Sequence, residues 1–389
     1  MSSSMDTSSG SSGDESLSDR NELMWRTDAN QQLRVRRNAG KGSAHAAKQR
    51  ARDDEQGSDE AQERALEKLK YMELKADRAQ DAATYEAPTA FASVGVKNSL
   101  QLAEFKEKFG IEIIHKDEEE IVFDMYGVDP PIANAFRRIL LAEVPTMAIE
   151  HVYMYTNTSI IQDEVLSHRL GLIPILADPD AFEYCQEGVD ALTDVNVIRF
   201  NLTVQCQEEK MNVYSRDFEW EPLGDQKQNL QGSAIPRVAH GDILIAKLRR
   251  GQEISLSVDC VKGIGKTHAK WSPVATASYR LLPKLTLRKK LTGDLAKELV
   301  RKCPMKVFDI EDIGSEKVAR VARPRNCSMC RECIREEEWA ERVQLQRHKN
   351  HFIFTIESTG AVPPEKLFLR AADILHEKCA TLRESLTAL

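Results

Sequence analysis

Residues 109–145 limit the possible folds most, reading "FGIEIIHKDEEEIVFDMYGVDPPIANAFRRILLAEVP". Apolar residues alternate at Ile111/Ile113 and again at Ile121/Phe123/Met125, on either side of the acidic stretch 116–120. A period of two on both sides of a polar turn predicts a β-hairpin. The period then changes. Asp129 can cap a helix, and Pro130 and Pro131 fall where a first helical turn tolerates them. Ile132, Ala135, Phe136, Ile139 and Leu140 recur at helical spacing, and Pro145 ends the run.

The remaining pattern agrees. "HVYMYTNT" (151–158) reads as a strand and "QDEVLSHRLGLIPI" (162–175) as a short helix breaking at Gly171. Strands follow at 195–207, 242–248, 254–261 and 351–360. Strands preceded and followed by helices, without a regular βαβ alternation, predict an α+β fold. Residues 363–389 predict a long helix of roughly 40 Å. Its apolar positions Leu375, Cys379, Leu382, Leu386 and Leu389 step by 4, 3, 4 and 3, a heptad-like seam. Such a seam packs either on the chain's own sheet or on a partner.

Before residue 85 the composition is Ser, Gly, Asp, Glu, Arg and Ala, too polar to offset the entropy of ordering, and disorder is expected. Within it, "AQERALEKLKYMELKADRAQ" (61–80) predicts a helix, solvated or laid on a partner. The basic run 34–52 has the composition of a nuclear import signal and also of an ordinary solvated tail. The net charge of −7 argues against a surface that coats nucleic acid generally. Residues 237–302 nevertheless hold fifteen Lys/Arg against five Asp/Glu, a block that faces nucleic acid, an acidic partner or water. No apolar run approaches a membrane span or a signal-peptide core, so a soluble intracellular protein with reduced thiols is expected.

No catalytic set emerges. "GIGKT" (263–267) ends like a phosphate-binding loop, but the glycine required five residues before Gly265 is Cys260. His168 and Asp163 bring no nucleophile with them, and 116–120 lacks the glycine spacing of a calcium loop. The cysteines are the exception. "CSMCREC" places Cys327, Cys330 and Cys333 at two-residue intervals, and Cys303 stands directly before Pro304. Ferredoxins hold three corners of an iron–sulfur cluster by this spacing, with a Cys-Pro as the fourth ligand. Four thiolates also suit tetrahedral zinc, and a site that binds nothing is the third reading.

"IANAFRRILLAEVPTMAIEHVYMYTNTSIIQDEVLSHRLGLIPI" (132–175) closely resembles the dimerisation motif of the α-like subunits of multisubunit RNA polymerases, a family that spans bacterial α and its archaeal and eukaryotic counterparts. Residues 240–284 and 354–367 resemble the same family further on. The stretches "GVDPPIANAFRRILLAEVPTMAIE" and "HAKWSPVATASYRLLP" are similar to the branch shared by nuclear RNA polymerases I and III. The zinc cluster of the polymerase II paralogue is missing, since only Cys185 and Cys206 lie where it belongs. Residues 291–345 resemble the ferredoxin-like insertion of the archaeal counterpart.

The resemblance implies a disordered tail at 1–85, a discontinuous dimerisation domain at 86–150 plus 346–389, an insert domain at 151–285 and a ferredoxin-like cysteine segment at 286–345. It implies a [4Fe–4S] cluster on Cys303, Cys327, Cys330 and Cys333, with zinc or no metal as alternatives. It implies a non-catalytic scaffold for rRNA, tRNA and 5S RNA synthesis in the nucleus and nucleolus. This scaffold pairs with a smaller α-like subunit and docks the large catalytic subunits, meeting DNA only through the complex and no membrane. The residues implied for the partner interface are Ile132, Phe136, Arg137, Arg138, Ile139, Leu140, Leu375, Leu382 and Leu386, with one of the two arginines reaching the catalytic subunits. The rival readings are a ferredoxin-like electron carrier, the corresponding subunit of another nuclear polymerase, and a free-standing nucleic-acid binder.

Overall fold

The computed structural model describes residues 63–82, 101–185, 191–313 and 316–388. The expected disorder of residues 1–62 and the basic run 34–52 lie outside them. In chain order the main elements are β1 (Tyr71–Leu74), α1 (Leu102–Lys108), β2 (Gly110–Lys116), β3 (Glu120–Tyr126), α2 (Pro130–Ala142), β4 (Pro145–Asn157) and α3 (Asp163–Gly171). Then come β5 (Val197–Gln205), β6 (Lys210–Tyr214), β7 (Leu244–Arg249), β8 (Glu253–Ile264) and β9 (Val274–Leu287). The chain finishes with α4 (Gly293–Lys302), β10 (Phe308–Ile313), β11 (Glu316–Val321), α5 (Glu337–Arg342), β12 (Val343–Ser358) and α6 (Pro364–Thr387). Every strand pairing among the described residues is antiparallel, which with the segregated helices makes the fold α+β.

The hairpin forms as its alternation predicts. β2 pairs β3, and Asp117 closes the turn by accepting the amide protons of Glu119 and Glu120. Gly127 leaves β3 at φ +75, and a Cβ there would stand 2.2 Å from the Lys108 carbonyl oxygen, so only glycine fits this exit. The Asp129 side chain makes no cap hydrogen bond to α2. The physical reason is that Pro130 and Pro131 remove two of the orphan N–H groups a cap would serve, and the Asp129 carbonyl takes those of Ile132 and Ala133.

β12 is the spine of the first sheet. β9 runs along one edge of it, from Val274↔Ser358 to Leu287↔Val343. The other edge is shared: β1 pairs with 345–348 and β3 with 351–357. The two halves of β12 serve two cores. Phe352, Phe354 and Ile356 pack with Phe123, Met125, Leu140 and Leu367 under α2 and α6. Val343 and Leu345 pack with Phe308, Trp339, Leu299, Cys327 and Cys333. A second sheet, β4-β8-β5 with residues 219–221 on its edge, carries a separate core of Ile149, Leu166, Leu170, Phe200, Leu202 and Ile254 closed by α3 and the β6–β7 pair.

Two expectations need correction. Residues 66–80 are neither tail nor one helix: 66–70 are helical, and Tyr71–Leu74 is a strand on β12. Met72 and Leu74 gain burial there, at 9% and 4% exposed, and that tertiary gain overrides the helical propensity of the stretch. The boundaries expected at 150/151, 285/286 and 345/346 cut through β4, β9 and β12, because each of these strands continues across the expected break.

Candidate functional site: a cysteine pocket and an uncovered hairpin–helix face

Cys303 follows α4 directly, and Cys327, Cys330 and Cys333 lie on the loop between β11 and α5. All four thiols are free and line one cavity of about 10 Å³ together with Leu285, Leu345 and Phe308. That space is close to the least that holds one water molecule. The loops around it are strained. Among the described residues four non-glycines have positive φ, and three of them, Lys306, Met329 and Arg331, sit in the cysteine loops. Such residues cost on the order of 1–3 kcal/mol each and persist only where the surroundings over-determine them.

The strain turns backbone N–H groups toward sulfur. The Val307 amide donates to Cys303 Sγ at 3.4 Å, and the Met329 amide donates to the Cys327 thiol. Burial raises Cys327, and the Met329 bond opposes it. Burial, followed by the charges of the three neighbouring cysteines, pushes Cys333 up to about 12. A thiolate at Cys327 or Cys333 is therefore disfavoured unless a cation stands beside it. An all-sulfur donor set with amides directed at the sulfurs fits a soft metal or an iron–sulfur cluster. Among the described residues, the one set of three metal-type ligand atoms within 4.8 Å of one another is His115, Asp117 and Glu120 at the exposed hairpin tip. No three of the four sulfurs therefore lie within 4.8 Å of one another, a looser grouping than the about 3.8 Å spacing that a tetrahedral site with Zn–S of about 2.3 Å sets among its ligands.

The pocket is tied to the hairpin. Arg325, two residues before Cys327, donates from both Nη atoms to Asp124 of β3, at 2.6 and 2.8 Å. His351 Nε2 meets the same carboxylate at 2.9 Å, and Asp124 is 4% exposed. Sequence reasoning missed this link, because nothing in the spacing of residues 124 and 325 marks them as neighbours.

The residues expected at a partner interface divide into four groups. Ile139 and Leu140 are 3% and 0% exposed inside their own core, which corrects their assignment to a partner: they lie on the side of α2 that faces the sheet. Ile132, Phe136 and Leu375 pack at the margin of that core, Phe136 with its ring 5.0 Å from Phe368. Leu382 and Leu386 are 61% and 64% exposed. α6 is buried at Pro364, Leu367 and Ala371 and held to the C-cap of α2 by Lys378 on Glu143, and from Thr381 on its side chains are exposed. Arg137 donates to Asn134 of its own helix, whereas Arg138 is exposed. The hairpin, which the resemblance also implies for the partner interface, is bare on its edge strand: Ile111, Ile113 and Ile114 of β2 are all exposed.

Seven of the fifteen cations in the basic block are paired with carboxylates: Arg249, Lys270, Arg288, Lys289, Lys290, Lys297 and Lys302. In "GIGKT", Gly263 lies against Trp271, where a Cβ would stand 2.3 Å from the indole, so the loop packs on a ring and cradles no phosphate. No helix among the described residues is long and apolar enough to cross a membrane.

Comparison with known proteins gives this arrangement a family. The RNA polymerase Rpb3/Rpb11 dimerisation domain matches residues 122–379. The DNA-directed RNA polymerases I and III subunit RPAC1 of Bos taurus is 48% identical over 300 residues, covering 73% of this chain and 86% of that protein. Its Dictyostelium discoideum counterpart is 47% identical, covering 77% and 88%, and that of Saccharomyces cerevisiae is 40% identical, covering 75% and 91%. The chain belongs to the RNA polymerase α-like dimerisation family, in the branch of subunits shared by polymerases I and III.

Proposed function

We propose that this chain is the larger α-like scaffold of RNA polymerases I and III, pairing with a smaller α-like subunit to nucleate the core enzyme and docking the large catalytic subunits. The observation that carries the reading is the uncovered hairpin–helix face. Edge strand β2 turns Ile111, Ile113 and Ile114 outward, and α6 leaves its own core with Leu382 and Leu386 bare. Exposed apolar surface of this kind marks protein–protein contact. Arg138, exposed on α2, is the arginine that reaches a catalytic subunit. In this reading the subunit supplies no catalytic residue. The assembled enzymes make rRNA, tRNA and 5S RNA in the nucleus, those of polymerase I in the nucleolus, and the region expected at 151–285 acts as an insert domain. The test is co-expression with the smaller α-like subunit. Leu382→Asp with Leu386→Asp abolishes co-purification and leaves the thermal midpoint of the chain alone unchanged; a variant that still retains the partner overturns the reading.

We also infer that Cys303, Cys327, Cys330 and Cys333 hold one [4Fe–4S] cluster in a ferredoxin-like segment. The four-sulfur donor set, the amides directed at sulfur and the strained loops support it. Bound there, the cluster supplies a covalent staple for a loop-rich segment. The chain's own residues do the rest: Arg325 fixes the loop to β3, and Trp339 and Phe308 exclude water. Anaerobic purification tests it. About four irons and four sulfides per chain, lost when all four cysteines become Ser, establish the cluster. Zinc or an empty site overturns it without touching the scaffold reading.

A further inference from the structure

We propose that residues 66–80, N-terminal to the family match, form a latch that closes the cysteine pocket. β1 adds to the edge of β12 at 345–348, and its register sets Leu74 opposite Leu345, which lines the cavity. Leu74, 4% exposed, belongs to the same core as Cys327 and Cys333. A second tie reaches the cysteine loop itself: Arg331, held at φ 68 between Cys330 and Cys333, donates from Nη1 to the Ala76 carbonyl at 3.2 Å. The latch is anchored along its length. The Lys349 ammonium, on a residue 4% exposed, donates to the Lys68 carbonyl at 2.6 Å. Lys284 stands 3.4 Å over the Tyr71 ring, and Arg288 pairs with Glu73.

The physical consequence is control of access. Without β1, residues 345–348 become an open sheet edge and Leu345 loses the side chain that covers it. Solvent and reagents then reach the sulfurs from that side. The latch works whichever group the pocket takes, so it goes beyond the cluster reading and does not depend on it.

The test uses the full chain, stripped of metal under reductant, and follows alkylation of each cysteine by N-ethylmaleimide with peptide mass spectrometry. Cys379, exposed on α6, reports the intrinsic rate, and Cys260, fully buried in the second core, reports global unfolding. Leu74→Asp is expected to speed labelling of Cys327 and Cys333 by about tenfold or more, as a locally opened segment does, with Cys260 and Cys379 unchanged. Unchanged labelling of Cys327 and Cys333 overturns the proposal. If Cys260 also becomes reactive, Arg331→Ala decides, because it removes only the loop-to-latch bond. A rise of about threefold confined to the cysteine loop, accompanied by faster amide exchange at 71–74, supports the latch, and no change in either refutes it.

Discussion

Asp124→Asn tests whether the hairpin and the cysteine loop are one mechanical unit. The carboxylate is 4% exposed and accepts from both Arg325 nitrogens and from His351 at 2.6, 2.8 and 2.9 Å. Hydrogen bonds to charged groups are worth about 1.5–3 kcal/mol each, and breaking a buried ion pair costs about 3–5 kcal/mol. Two facts reduce this sum. The Arg325 side chain is 35% exposed, so water resolvates part of its charge. The amide that replaces the carboxylate keeps one acceptor. A loss of about 2–3 kcal/mol follows, read as a lower urea midpoint with unchanged slope. Burial raises the Asp124 pKa, and the bonds from Arg325 and His351 outweigh it, leaving the carboxyl below its ordinary value. Because the folded pKa is depressed, the wild-type contribution is fully present above about pH 4 and is lost as pH falls further. The Asn variant therefore lacks that part of the acid limb. Arg325→Met leaves Asp124 buried beside His351 alone, and the double variant is expected to cost less than the two singles added. Additive losses, or an Asp124→Asn cost under about 0.5 kcal/mol, would refute the buried-pair argument.

Further outcomes follow from burial and close contact. Leu140→Ala is expected to cost about 2–5 kcal/mol by chemical denaturation, while Leu386→Ala costs under about 0.5 and weakens only partner binding in a pull-down titration. Gly263→Ala drives a methyl into the Trp271 ring, which is held by its own bond to the Val261 carbonyl, and overpacking of this kind lowers stability by about 1–3 kcal/mol. Trp271→Leu in the same chain restores part of that loss in a double-mutant cycle. Gly127→Ala, at φ +75 and facing the Lys108 carbonyl, lowers the thermal midpoint and, on the proposed scaffold reading, weakens partner association, because β2 can no longer lie against β3 in register.

The sequence showed elements wherever one face of a segment is buried by the chain itself. Ile121, Phe123 and Met125 alternate because the sheet covers them, and Ile139 and Leu140 repeat because α2 lies on that sheet. Ile111 and Ile113 carry the same pattern with no burial in this chain, so alternation alone could not say what covers them. β9 escaped notice because Pro283 interrupts it, and the chain tolerates that proline through a register shift between Leu281 and Pro283. "YMEL" was illegible as a strand because only an open edge some 270 residues later makes it one. The four cysteines were legible from spacing; the amides, the strained φ angles and Arg325 that organise them belong to the backbone and to distant contacts.

The spine strand sets a schedule for synthesis. β12 is the common partner of β1, β3 and β9, and it emerges after all three. At about 5–20 residues per second, β1 waits roughly 15–55 s on the ribosome for residues 343–348. The second sheet needs only residues 145–264 and can close long before. During that interval the first sheet is a set of unpaired edges awaiting its last strand, which makes the nascent chain a client for chaperones and leaves the subunit unable to recruit a partner until its C-terminus is made.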